Sequence, residues 1–226
     1  MKTVNDYLQM LNEFYLKGTT NHAEHNSNPL YWDLLLKDIK ENPSLFENKI
    51  ALDFGCGKGR NITNMFSLAD FARIDGVDVS VDNINSNKKN FNLTKSNFYK
   101  NNGEDLSDLK SNEYDFIMST IVLQHICVHE IRYNIKKEIF RVLKKGGIFS
   151  FQMGYDTQDS NRNNRDYYDN GYDATTSNGG NDTKVTDPQQ LVDDLIKIGF
   201  TDITFEIHEP YSDVNHTNWI YVRCKK

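Results

Sequence analysis

Val4, Tyr7, Leu8, Leu11, Phe14 and Tyr15 recur at helical spacing and predict a helix over residues 3–17, with Gly18 as its stop. A polar stretch, TTNHAEHNS, follows. Asn28-Pro29 then reads as the cap and first residue of a second helix that runs to about Lys40 and is closed by Pro43. From Lys49 the period changes. KIALDF predicts a short strand, GCGKGR a turn, and the residues to about Ala69 a helix. RIDGVDV predicts a strand, and Ser80 caps a helix that reaches about Asn90. A strand near Asn97–Lys100, the loop NNGEDLSDL and the strand YDFIMS come next. A helix covers roughly Val128–Lys144, and Lys145-Gly146-Gly147 turns into the strand IFSFQM. Asp187-Pro188 opens the last helix and Gly199 ends it. ITFEI alternates Ile203, Phe205 and Ile207; NWIYVRC puts Trp219, Tyr221 and Arg223 on one face and Ile220, Val222 and Cys224 on the other.

Strands alternating with helices predict an α/β chain, a parallel sheet wrapped by helices. A length of 226 residues predicts one domain. Within it, residues 1–44 form a helical cover, 45–153 the core, 154–186 a polar loop and 187–226 the last helix and a β-hairpin. There is no repeat at solenoid periods.

Composition narrows the function. The formal net charge is −6, which disfavours nucleic acid and anionic membrane surfaces as partners. No apolar run approaches the ~20 residues of a membrane span, and the N-terminus lacks the apolar core of a signal peptide. Cys56, Cys127 and Cys224 are far apart and form no CxxC, as expected of a cytoplasmic chain without disulfides or a zinc knuckle. Oligomeric state is left open.

The most informative stretch is Ala51-Leu52-Asp53-Phe54-Gly55-Cys56-Gly57-Lys58-Gly59-Arg60-Asn61. Glycines after a strand let the backbone turn sharply and approach a ligand, and the helix that follows offers unpaired N–H groups. The dinucleotide fingerprint is GxGxxG; here the third glycine comes one place early and Arg60 occupies its site. Asp53 suits a ligand with a positive amino group and would repel a pyrophosphate. Asp78, at the end of the second strand, can accept from both hydroxyls of a ribose. A helix-capping Asp is the alternative there.

These residues resemble class I S-adenosylmethionine-dependent methyltransferases. ALDFGCGKGRN is similar to the family's first motif, IDGVDVS to the second, NNGEDLSDL to the third, and YDFIMSTIVLQHI to the fourth, followed by EIFRVLKKGGIFSFQM for the fifth strand. The resemblance covers residues 45–153 well and the last strands more loosely. It implies a Rossmann-like, doubly wound seven-stranded sheet ending in an antiparallel hairpin, with S-adenosyl-L-methionine as cofactor and S-adenosyl-L-homocysteine as product. By the same resemblance Asp53, Gly55, Gly57 and Gly59 hold the methionine portion, Asp78 and Val79 the ribose, and Gly103, Asp105 (or Glu104) and Leu106 the adenine. Ser119 sits beside the methionine.

A methyl acceptor with a hydroxyl must also lose a proton, and histidine suits that task near neutral pH. His125, just after the fourth strand, is the first candidate base. His22 and His25, between the first two helices, and His216, at the hairpin turn, are the others; His208 reads as an ordinary strand residue. His125 and His129 are spaced i, i+4, but no acidic cluster accompanies them, so no metal is expected. The loop 154–186 carries Tyr155, Arg162, Arg165, Tyr167, Tyr168 and Tyr172, which suit a sugar or phosphorylated molecule. The Leu8–Leu11–Phe14 stripe and Tyr31/Trp32 read as core. The LQHI and DPQQLVDDLIKIGF stretches are similar to bacterial enzymes that decorate surface polysaccharides. The resemblance therefore implies a hydroxyl or phosphate-type oxygen on such a precursor as acceptor. The alternatives are a small amine, an NAD-dependent oxidoreductase and a non-catalytic cofactor-binding module.

Overall fold

The computed structural model describes residues 2–15, 29–156, 164–173, 182–209 and 216–226, with backbone alone at 29–31. Two helices, α1 (Val4–Tyr15) and α2 (Pro29–Leu35), precede the sheet. The single helix expected to Lys40 is broken at Leu36, and a short α3 covers Lys37–Glu41. Past the break, the Asp38 carboxylate takes two bonds from Arg223, on the second strand from the sheet's C-terminal edge, at 2.6 and 2.8 Å. Leu35, Leu36 and Ile39 are all buried across the break, so apolar periodicity alone does not register it.

Next come β1 (Ile50–Phe54), α4 (Arg60–Leu68), β2 (Arg73–Asp78), α5 (Val81–Asn90), β3 (Phe98–Lys100) and β4 (Tyr114–Ser119). They are followed by a 3-10 turn (Leu123–His125), α6 (His129–Val142), β5 (Leu143–Tyr155), β6 (Lys184–Val185), α7 (Pro188–Ile198), β7 (Thr201–His208) and β8 (Asn218–Lys225). α5 starts where the Ser80 side chain accepts from the Asn83 N–H. α7 starts in a capping box between Asp187 and Gln190 and ends on a left-handed Gly199.

Seven strands follow the order β3-β2-β1-β4-β5-β8-β7, all pointing one way except β8, which is antiparallel to both its neighbours β5 and β7. An eighth strand was not anticipated. The two residues of β6 pair parallel with Gly154 and Tyr155 of β5. β8 occupies the opposite edge of those residues, so β6 continues the ladder past the end of β4, which reaches only Phe151. α6 stops at Val142 and β5 begins at once, with a register shift opposite Tyr114 and Phe116 absorbing Lys144–Gly147.

Each sheet face has its own core. Ala51, Ile74, Phe116, Met118, Trp219 and Tyr221 pack with Leu35, Ile62 and Ile84 of α2, α4 and α5. Leu52, Ile117, Phe149, Phe151, Ile220 and Val222 pack with Leu11, Ile135 and Leu195 of α1, α6 and α7. β1 and β4 lie side by side, while the chain leaves β1 towards β2 and returns to β4. That reversal opens a crevice at the carboxyl ends of the strands.

Candidate active site

A cavity of about 430 Å³ occupies this crevice, within the usual range for small-molecule sites. Its floor is the glycine loop. Gly55, at φ +78°, lies so close to Val122 that a Cβ would stand 2.2 Å from its methyl carbon. Gly57, at φ +50°, faces open space, and a Cβ there would project into the cavity. Gly59 caps α4 in the left-handed conformation but is not part of the wall.

Two carboxylates flank the loop. Asp53 is 0% exposed at the end of β1. Its Oδ1 accepts from Asn61 Nδ2 at 3.3 Å, and its Oδ2 has no partner among the described residues. Burial pushes its pKa up to about 7, against the smaller opposing pull of the Asn61 bond. It lies behind the wall, which Asn61 and Phe54 form. Asp78 lines the cavity; it accepts from the N–H groups of Gly57 and Ser80, each at 2.8 Å. It therefore caps the loop and the following helix, and a carboxylate has lone pairs to spare for a further donor. Desolvation raises its pKa, and those bonds oppose the rise.

Val79 and Gly103 line the cavity. Asp105 does not. Its Oδ1 accepts from the Ser107 N–H at 3.0 Å and hydroxyl at 2.7 Å, and it borders a smaller neighbouring hollow together with the buried Leu106. Ser119 is buried, its Oγ without a partner among the described residues, and the adjacent Thr120 reaches the wall instead. Helix α1 closes one side through Leu11, Phe14 and Tyr15, so part of its apolar stripe is wall rather than core. Its Tyr7 hydroxyl accepts from the Cys127 N–H at 2.9 Å and faces the His125 carbonyl at 3.4 Å. Lys58 and Arg60 supply positive charge, the latter with its guanidinium 5.9 Å from the Trp32 ring centre.

His125 lines the opposite side, its side chain 27% exposed. Its Nδ1 lies 2.8 Å from Asp182 Oδ1. Burial works against ionisation of Asp182, but His125 and His216 outweigh it and hold the carboxyl well below its usual range. With Asp182 ionised, Nδ1 is the nitrogen that donates to it, and in the neutral imidazole Nε2 is then the bare acceptor. The pairing is set by backbone. The Thr183 N–H donates to the Gln124 carbonyl at 2.7 Å, and Arg132 donates from one nitrogen to both the Ile126 carbonyl and the Thr183 hydroxyl. Neighbours of both partners are thus clamped together.

The other candidates divide. His216 is 0% exposed and outside the cavity wall, with Asp156 and Asp182 each 3.5 Å from its ring nitrogens. His129 turns to Asp194 at 3.0 Å, so the i, i+4 imidazoles serve different carboxylates. Tyr155 packs against a core, and Arg165 bonds Asp173 at 3.0 Å; neither lines the cavity. Tyr167 is buried against Lys136 and donates to Asp194 at 2.6 Å, fastening this stretch onto α6 and α7. His22, His25 and Arg162 lie outside the described residues. Sequence reasoning missed Asp182, Tyr7, Thr120 and Arg132. Asp182 was visible only as one acid among many in a polar stretch.

Residues 52–151 match a protein family described as a methyltransferase domain. Among solved structures, the chain is similar to an S-adenosylmethionine-dependent methyltransferase from Mesorhizobium loti, with 15% identity and a TM-score of 0.63, covering 88% of this chain and 99% of that one. It is also similar to the [4+2]-cyclase SpnF, with 16% identity, a TM-score of 0.65 and coverage of 98% and 93%. A third is phosphoethanolamine N-methyltransferase 2 of Haemonchus contortus in complex with phosphomonomethylethanolamine and S-adenosylhomocysteine. There the identity is 17%, the TM-score 0.61 and the coverage 86% and 52%. At these identities the likeness is one of fold. A search of curated proteins found no match.

Proposed function

We propose that this chain, whose residues 52–151 match a methyltransferase domain, is an S-adenosylmethionine-dependent methyltransferase that acts on an oxygen of a small molecule, with His125 as the general base and Asp182 as its orienting partner. The chain's own residues fit the cofactor. Asp53, buried behind the wall with one oxygen lacking a partner among the described residues, favours a cationic amino group in the adjoining cavity through its charge rather than by lining it. The open space over Gly57 admits a ligand where any side chain would intrude. Asp78, Val79 and Gly103 line the same cavity and suit a ribose and an adenine edge. The reading leaves Asp53, Gly59, Asp105, Leu106 and Ser119 outside the cavity lining. When bound, the cofactor supplies an electrophilic methyl group on sulfur.

The protein's remaining task is to position the acceptor and remove its proton. The observation that carries the reading is the 2.8 Å contact between Asp182 and His125 Nδ1, which leaves Nε2 free to accept from a hydroxyl in the cavity. Lys58 and Arg60 favour an acceptor with an anionic part, such as a phosphorylated sugar. A hydroxyl or phosphate-type oxygen on a surface-polysaccharide precursor is the acceptor class suggested by the sequence resemblance. With a net charge of −6, nucleic acid is not the proposed substrate. No helix among the described residues is long and apolar enough to cross a membrane. Three free, buried cysteines accord with a reducing cytoplasm.

A small amine is the second reading, and the phosphoethanolamine N-methyltransferase of like fold supports it. Transfer from labelled cofactor, screened over nucleotide sugars, phosphorylated metabolites and amines, separates the two. In the oxygen reading His125→Ala lowers kcat by about 10²–10⁴-fold with S-adenosylhomocysteine binding intact. Unchanged turnover removes the base role. Calorimetry that registers NAD rather than S-adenosylmethionine rejects the whole reading.

A further inference from the structure

Behind His125 the structure continues into a chain of groups that never reach the cavity. We infer that His216 is a positioning residue: held between Asp156 and Asp182, it keeps the Asp182 carboxylate facing His125 Nδ1, and so keeps His125 in the tautomer with a bare Nε2. The inference rests on the reading of His125 as the base.

The ring of His216 is placed by packing. It lies over Gly154, where a Cβ would stand 2.1 Å from its Cε1, and its centre is 5.3 Å from that of Trp219. Only glycine at 154 leaves room for an imidazole at this level of the sheet. Nδ1 is 3.5 Å from Asp156 Oδ2 and 3.2 Å from the Asn164 side-chain amide, and Nε2 is at ion-pair rather than hydrogen-bond distance, 3.5 Å, from Asp182 Oδ2. Asp156 is itself anchored, accepting from the Thr217 N–H at 2.7 Å and from Asn164 Nδ2 at 2.9 Å. The other oxygen of Asp182 goes to His125. The order is therefore Asp156, His216, Asp182, His125, then cavity.

Charge explains why an imidazole sits there. Two buried carboxylates on either side of one ring favour a cation between them. Protonated His216 supplies it, and the two carboxylates outweigh the opposing effect of burial. With His125 neutral the group carries one net negative charge, and the proton His125 takes from an acceptor cancels it. Without His216 one carboxylate takes up a proton. A protonated Asp182 can donate to His125 as well as accept from it, and the tautomer is no longer defined. The other titratable groups close by are Cys127, which follows the 3-10 turn, and Arg132 and Arg165, whose charges act on its thiol. Burial pushes that thiol up to about 11, so Cys127 stays neutral.

The test is nitrogen NMR of ring-labelled histidine on the full chain at neutral pH, without acceptor or cofactor. Wild-type protein shows His216 with both ring nitrogens protonated and His125 with protonated Nδ1 and bare Nε2. In His216→Gln and Asp156→Asn the two nitrogen resonances of His125 move towards each other as tautomers mix, while affinity for S-adenosylhomocysteine by calorimetry stays within about twofold. A neutral His216 in the wild-type protein overturns the proposal, as does an unaltered His125 tautomer in folded variants. If His216→Gln does not fold, the Asp156→Asn spectrum and the wild-type charge state decide. The base reading fails separately, through normal methyl transfer by His125→Ala.

Discussion

At the scale of single residues, Asp53 sets a cost to folding against its proposed role beside the cofactor. Folding buries a carboxylate that gains one long bond, and the residue favours its neutral form. The unfolded chain releases that proton near pH 4 and the folded one near pH 7, so stability falls as pH rises across that interval, with a ceiling of about 4 kcal/mol. Chemical denaturation at pH 4.5 and 7 should show this loss, and Asp53→Asn should flatten it while weakening S-adenosylmethionine binding. The glycines make a second contrast. Gly55→Ala meets Val122 and should cost about 1–3 kcal/mol of stability. Gly57→Ala carries the left-handed backbone cost alone, about 1–2 kcal/mol, but fills the cavity floor. Its larger effect is expected in calorimetric titration with S-adenosylhomocysteine. The alternating glycines and the acids at 53 and 78 were legible because each demands a residue type that the local backbone or ligand charge dictates.

At the scale of elements, the site depends on contacts between pieces far apart in sequence. Tyr7 fastens α1 to the turn bearing His125. Tyr7→Phe leaves the buried Cys127 N–H without its partner, which should cost about 1–3 kcal/mol in a denaturant melt. Because Leu11, Phe14 and Tyr15 ride on the same helix, cofactor affinity should fall with it. The strands and most helices were readable from period, caps and glycine stops. The break at Leu36 was not, since an Asp38–Arg223 pair across the sheet decides it. β6 was not either: a two-residue strand has no period, and its pairing depends on β5 extending beyond β4.

At the scale of the molecule, buried ion pairs set a pH window. Asp182, Asp156 and Asp194 are held below the ordinary carboxylate range, Asp156 to about 2. Their contribution is complete above the unfolded value near 4 and is lost as pH falls through the folded ones. His216 is raised, so its contribution is complete below about pH 6.5 and lost as pH rises through its folded value. Thermal melts should therefore lose stability as pH rises above about 6.5, and His216→Gln should reduce that loss. A melt independent of pH there would remove the buried charge. The sequence by itself determined the α/β alternation, the glycine loop and the acids beside it, because backbone conformation and ligand charge act within a few residues. Only the tertiary structure decided that Asp182 meets His125, that His216 stands behind them and that Asp105 turns away. Those contacts join segments more than thirty residues apart, or turn on how a loop closes, and no local pattern encodes the distance between them.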